Sequence, residues 1–242
     1  RKDFVDTVKL FAKLKYPKFQ KCVDYYSLTN KHYNILNGKI IGMKCNEICT
    51  IPIDDYEKHM KEYFQEHSTA EFVVMEGRTY MVGALPRLNH NFKLLDKKIL
   101  SMLPFHFPSD NPFHNVPAQA VEMLVTVDRA IEILEKLKLK SEKPKKIKVK
   151  AATGIGVSEA PRGLLFHRYT FDKDGACQSA NITTPTSQNL RCMQEAIKEF
   201  LPNILDRKKE EIKLEIEQLI RSYDPCISCS THFLELNWEE IK

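Results

Sequence analysis

The sequence has no apolar run of the roughly 18 residues that a membrane-spanning helix needs, so no helical span is expected. Its opening, RKDFVDTVKLF, has no apolar segment of the secretory kind and reads as no export signal. It also has no initiator methionine. Phe4, Val5, Val8 and Phe11 recur at helical spacing from the start, so the chain is expected to open at or inside a helix, with Arg1 not its natural start. Cysteine is too sparse and scattered for a disulfide framework. There are seven, an odd number, and that usage suits a reducing cytosol. No internal repeat occurs. The one biased segment is LEKLKLKSEKPKKIKVK, from Leu134 to Lys150. No aromatic residue interleaves its lysines, which argues against single-stranded nucleic acid. With a mild net charge of +5, the run reads as a solvated helix end and linker. Docking of an acidic partner or a phosphate backbone is the alternative.

Hydrophobic residues at 43% and charged residues at 29% are ordinary for a globular protein, and 242 residues can bury a sizeable core. Asn37-Gly38, between β-branched and aromatic runs, signals a hairpin. Asp54 and Asp55 suit the amino end of a helix running through YEKHMKEYFQEH. MEGRTYMVGALPRLN reads as a short hairpin turning at Glu76-Gly77 and running into a loop. From Val116 to about Leu139, Val121, Leu124, Val125, Ala130, Ile131, Leu134 and Leu137 trace a long helix, with Pro117 in its first turn. GLLFHRYTFD and ACQSANITTP flank Lys173-Asp174-Gly175 as a hairpin. Two helices follow, parted near Pro202. The second, about Asp206 to Tyr223, carries Ile212, Ile216, Leu219, Ile220 and Tyr223 on one face and is stopped by Pro225. The expected fold is mainly α with small antiparallel β hairpins, in one domain.

Three short segments carry chemistry. In DPCISCSTH, Cys226 and Cys229 are three apart and can turn both sulfurs to one side to chelate a soft or borderline metal. A closed site usually has four ligands, and no second CxxC half exists. Cys45 and Cys49, at CxxxC spacing, could meet the pair in space. A redox dithiol is disfavoured, because the pair follows a helix rather than opening one; two inert cysteines are the bland reading. In EAPRGLLFH, Pro161 fixes the backbone before Arg162 and Gly163 permits close approach, so Arg162 is a rigidly held donor to an anion or, more ordinarily, to a carboxylate. In ITTPTSQN, Thr183, Thr184, Thr186 and Ser187 surround Pro185 before a helix. That loop can bind an anion or merely cap the helix.

Taken together and in this order, EAPRG-L-FH, an ITPT-type loop and a DPCISC-S-H ending resemble the large catalytic subunit of nickel–iron hydrogenases. The wording is most like the cytosolic NADP-linked, sulfhydrogenase-like branch. Weaker resemblance runs through IPIDDY, EHSTA and MVGALPRLN, so it covers residues 1–242, as the carboxyl-terminal half of such a subunit. The resemblance implies a large-subunit-like helical core and reversible heterolytic cleavage of H2 at a Ni–Fe centre whose iron carries CO and cyanide. It makes Cys226 a terminal nickel ligand that takes the proton, and Cys229 a bridging ligand. Arg162 would lie over the metals, forming a canopy with Pro161 and Asp224. Thr186 would donate to a cyanide. His232 and the Ile182 carbonyl would hold a magnesium-type ion, or iron. The implied partners are a small Fe–S subunit, diaphorase-type subunits, a maturation protease, metallochaperones and the missing amino-terminal half. The implied location is cytoplasmic, with no nucleic acid bound.

Three departures from the family pattern stand out. No amino-terminal RxCxxC motif is present, which implies a truncated gene, a fragment or a split subunit. Gln188 stands where many relatives have tryptophan or another residue. Residues 233–242 follow His232 as a tail of the kind a maturation protease removes. The alternatives are a metal-free scaffold related to the hydrogenase-like subunit of complex I, whose relatives lack the paired cysteines, and a zinc or redox CxxC module.

Overall fold

The computed structural model describes residues 1–33, 36–44, 47–139, 141, 143–144, 148–230 and 234–239. Helix α1 (Lys2–Ala12) opens the chain, as its apolar spacing predicts. Strands β1 (Asp24–Thr29), β2 (Lys39–Lys44) and β3 (Glu47–Ile51) follow. β1 and β2 form the expected hairpin, but Thr29 pairs with Lys39, so Asn37-Gly38 ends a long connection instead of making a two-residue turn. Helix α2 is a single turn, Tyr56–His59. The long helix expected there is corrected: the chain turns into strand β4 (Met60–Tyr63), which pairs antiparallel with β5 (Phe72–Met75). Met60 and Tyr63 find strand partners in Met75 and Phe72, and that pairing overrides local helix preference.

The turn at Glu76-Gly77 exists, with φ of 50° and 75°. Strand β6 (Tyr80–Met81) then lies parallel to β1, giving a four-stranded sheet in the order β3-β2-β1-β6. The loop expected after it is helix α3 (Ala84–Asn91), almost wholly buried, and a single-turn helix α4 (Lys97–Leu100) comes next. Helix α5 (Asn115–Lys136) matches the long pattern. Its first half is buried through Ala118, Val121 and Leu124, whereas Ile131 and Leu134 are exposed. The described lysines beyond it are also exposed, as a solvated linker requires.

Strands β7 (Ala152–Ala160), β8 (Gly163–Phe171) and β9 (Cys177–Thr183) form an antiparallel meander. Helices α6 (Pro185–Phe200) and α7 (Lys209–Ser222) follow, then a last turn, α8 (Ile227–Ser230). Helices α1, α3, α5, α6 and α7 enclose one core around Leu88, Val121, Leu124, Cys192, Phe200 and Leu219. A second core lies between the four-stranded sheet and β7–β8, around Tyr26, Ile40, Tyr80, Val157 and Phe166. On α7, Ile212, Ile216 and Leu219 are buried one turn apart, each contributing about 2 kcal/mol. That face holds the end of α7, and with it the segment carrying Asp224 and Cys226, against the rest of the chain. No described helix is long and apolar enough to cross a membrane.

Candidate metal centre

The tip of the β7–β8 hairpin is Pro161-Arg162, closed by the pair Ala160 and Gly163. Gly163 has φ of +136°, and a Cβ there would stand 2.5 Å from a Val82 methyl. Only glycine lets the turn sit this tightly on Val82-Gly83, the link between β6 and α3. Arg162 Nε donates to the main-chain carbonyl of Asp224 at 2.9 Å, and its Nη2 lies 3.4 Å from Asp224 Oδ1. Asp224, just past α7, holds a left-handed φ of 50°, uncommon outside glycine. Gln119 on α5 donates to its Oδ2 at 2.8 Å. Burial pushes the Asp224 carboxyl up from its ordinary range, while Arg162 and the Gln119 bond pull it back.

Thr184 caps α6: its hydroxyl accepts from the Ser187 amide, and Pro185 opens the helix. The capping reading of this loop therefore holds. Thr186, buried in the first turn, does something else. Its hydroxyl accepts from the Cys226 amide at 3.2 Å. That bond uses a lone pair and leaves the hydroxyl proton for a separate acceptor. Cys226 is half-buried, with Sγ 3.4 Å from Ser228 Oγ. Arg162, Asp224, Pro225 and Cys226 line one wall of a cavity of about 720 Å³.

The Pro161 carbonyl faces the interior and accepts from Arg87 at 2.8 Å. Ile182 lies in β9 opposite His167 and is 47% exposed. The expected partner of its carbonyl, His232, falls outside the described residues. Cys229 belongs to α8 by its backbone, and its side chain lies outside them too. The CISC pair therefore does not simply trail a helix. Cys226 precedes the short α8 and Cys229 lies within it, because Pro225 breaks α7 and a fresh turn begins. Cys45 is likewise outside the described residues. Cys49 sits in β3, its sulfur 4.0 Å from Tyr26 Oη in the sheet-side core, and not with Cys226. Gln119, Arg87 and Glu122 belong to none of the three chemistry-bearing segments of the sequence. Their only signal there is a charged residue inside the apolar run MVGALPRL and polar residues on the inner half of α5.

A family model for nickel-dependent hydrogenases matches residues 113–232. The chain is 32% identical over 238 residues to sulfhydrogenase 1 subunit alpha of Pyrococcus furiosus, covering 95% of this chain and 55% of that protein. It is 30% identical over 197 residues to the NAD-reducing hydrogenase HoxS subunit beta of Cupriavidus necator, covering 74% and 40%. Among solved structures, an NAD+-reducing NiFe-hydrogenase in its H2-reduced state superposes with a TM-score of 0.69 at 22% identity, over 96% of this chain and 53% of that one. A NiFeSe hydrogenase of Desulfovibrio vulgaris Hildenborough gives 0.67 at 15% identity, over 95% and 57%. At such identities the superpositions show the fold, a mixed helical core with small sheets. The chain spans about half the length of the relatives it matches.

Proposed function

The chain belongs to the nickel-dependent hydrogenase family, and from that premise we propose that it forms the carboxyl-terminal part of a catalytic subunit that interconverts H2 with two protons and two electrons. One observation carries this reading. Arg162 reaches Asp224 across 62 residues, and Thr186 reaches Cys226 across 40. These two bonds join the three sequence motifs, and Arg162, Asp224 and Cys226 line one cavity.

The residues present fit a Ni–Fe centre. The Cys226 thiolate is a soft donor suited to nickel and low-spin iron, and it shares its cavity wall with a guanidinium. Among the described residues no group of three or more His, Cys, Asp or Glu could hold a metal. Cys226 and Cys229 would each offer a thiolate to such a centre as a share of its ligands. An amino-terminal CxxC of the same subunit would supply the rest. When bound, the centre, with CO and cyanide on its iron, supplies the Lewis-acid and redox chemistry for heterolytic cleavage.

The chain's own residues would hold the centre and accept a proton. Cys226 Sγ would take that proton. Arg162, Pro161 and Asp224 would form a canopy over the centre, with Arg162 offering its donors to a cyanide. The Thr186 hydroxyl, fixed by the Cys226 amide, donates to the other anionic ligand, as outer groups that tune a metal do. His232 and the Ile182 carbonyl would hold a magnesium-type ion near the end of the chain. Electrons leave through a small Fe–S subunit and diaphorase-type subunits to a cytosolic acceptor such as NADP. Metallochaperones load the metals, after which a maturation protease removes residues 233–242.

The test is metal content in the full-length subunit produced with its maturation proteins. Cys226→Ser and Cys229→Ser should each abolish nickel retention and hydrogen uptake. Nickel and activity surviving both changes would overturn the assignment. Zinc in place of nickel in the unaltered protein would favour a zinc module.

A further inference from the structure

Arg87, on the buried helix α3, is 3% exposed. Its guanidinium has five N–H donors, and all five are used. Nε and Nη2 fork onto the two oxygens of Glu122 at 2.6 and 2.7 Å. Nη1 donates to Glu159 Oε2 at 2.8 Å. The remaining donors go to two successive main-chain carbonyls, Ala160 at 3.0 Å and Pro161 at 2.8 Å. The carboxylates are themselves held: Tyr33 Oη donates to Glu122, and the Leu28 amide donates to Glu159 at 2.8 Å.

We propose that Arg87 is the positioning residue for Arg162, gripping the two carbonyls that precede it and so fixing where the Arg162 guanidinium reaches. The proposal rests on the reading of Arg162 as the roof of the metal centre. Two features separate it from an ordinary buried ion pair. Pairing with Glu122 and Glu159 uses three of the five donors; the other two are committed to the hairpin tip. The same tip is also packed against Val82 through Gly163. A two-residue turn held by both contacts has little room to swing, and the bond from Arg162 to the Asp224 carbonyl is the result. A lysine at position 87 would keep the charge, but its single nitrogen with three donors cannot span two carboxylates and two carbonyls.

The experiment compares Arg87→Lys with the unaltered protein in the full-length, assembled enzyme. Hydrogen–deuterium exchange across residues 160–164 should rise at least tenfold, with α6 and α7 unchanged and nickel content retained. The infrared bands of the cyanide ligands should move in the direction that Arg162→Lys moves them. In the double variant Arg87→Lys should add no further shift, because it acts through Arg162. Cyanide bands at their original positions, or exchange rising no more at 160–164 than over α3 and α5, would overturn the proposal. If Arg87→Lys does not fold, Glu122→Gln loosens the fork and should give a smaller band shift of the same sign; unchanged bands would overturn it. An unaltered protein without nickel and without cyanide bands would refute the hydrogenase reading instead, and the exchange measurement alone would then decide whether Arg87 grips the turn.

Discussion

Arg162 Nε donates to the Asp224 main-chain carbonyl at 2.9 Å, while the charged pair between the same two residues is longer, at 3.4 Å. The geometry is set by the backbone bond. An ion pair with side chains 42% and 28% exposed is worth less than about 1 kcal/mol. A charge-assisted bond to a fixed carbonyl orients the fork, and the rest of the guanidinium stays on the cavity wall. Arg162→Lys should therefore leave nickel bound and cut hydrogen turnover about 10–100-fold. Parallel metal analysis and hydrogen-uptake assays check this. Unaltered turnover would remove Arg162 from the site.

Gly163 makes the same point from the backbone. Its φ of +136° and the Val82 methyl 2.5 Å from any added Cβ leave a side chain no room, and the Gly83 nitrogen stands at 2.9 Å. Gly163→Ala should destabilise the subunit by about 1–3 kcal/mol and displace the Pro161-Arg162 tip. A melting temperature equal to the unaltered protein's would contradict the packing described.

Long, strongly periodic elements were legible in the sequence, and elements made by distant pairing were not. The buried half of α5 and the face of α7 follow apolar spacing directly, and Lys173-Asp174-Gly175 announces the β8–β9 turn. Helix α3 reads as a loop in the sequence because it is buried on every side. Its Arg87, Asn89 and Asn91 are satisfied by tertiary partners, so no apolar stripe marks it. The stretch after Tyr56 has helix-forming residues, yet Met60–Tyr63 is a strand because Phe72–Met75 lies beside it. Of the site, Arg162, Thr186, Asp224 and Cys226 were visible as motif residues. Gln119 was not, since one polar residue in a helical pattern says nothing about a carboxylate 105 positions away.

His90 gives a pH signature independent of any metal. Its Nδ1 lies 2.7 Å from Ser27 Oγ, and its Nε2 is buried with no hydrogen-bond partner among the described residues. Burial lowers its pKa from 6.5 to about 4. The folded state thus keeps His90 neutral where the unfolded chain binds a proton. Stability is full above pH about 6.5 and falls as pH drops towards about 4, by at most about 1.4 kcal/mol per pH unit. Melting temperatures of the full-length subunit should decline over that window, and His90→Gln should flatten the decline. An equal decline in the variant would assign it to other groups.

Leu234 and Leu236 are partly buried against the helical core, and the Trp238 ring lies 5.2 Å from Lys209 Nζ at the start of α7. An exposed cation–π contact is worth about 0.5–1 kcal/mol, and two half-buried leucines add about 2 kcal/mol. Residues 234–239 therefore cover the edge of the helical core without lying inside it, so cutting them away costs the fold only about 2–3 kcal/mol. Leu234 also lines the cavity that holds Cys226, which ties the tail's presence to the state of that cavity. Mass spectrometry of the mature, nickel-loaded enzyme should find the chain ending at His232, and metal-free precursor should retain residues 233–242. Exchange at the amino end of α7 should be faster in the mature form, where Trp238 no longer covers Lys209. An active enzyme still ending at Lys242 would make the tail a permanent terminal segment.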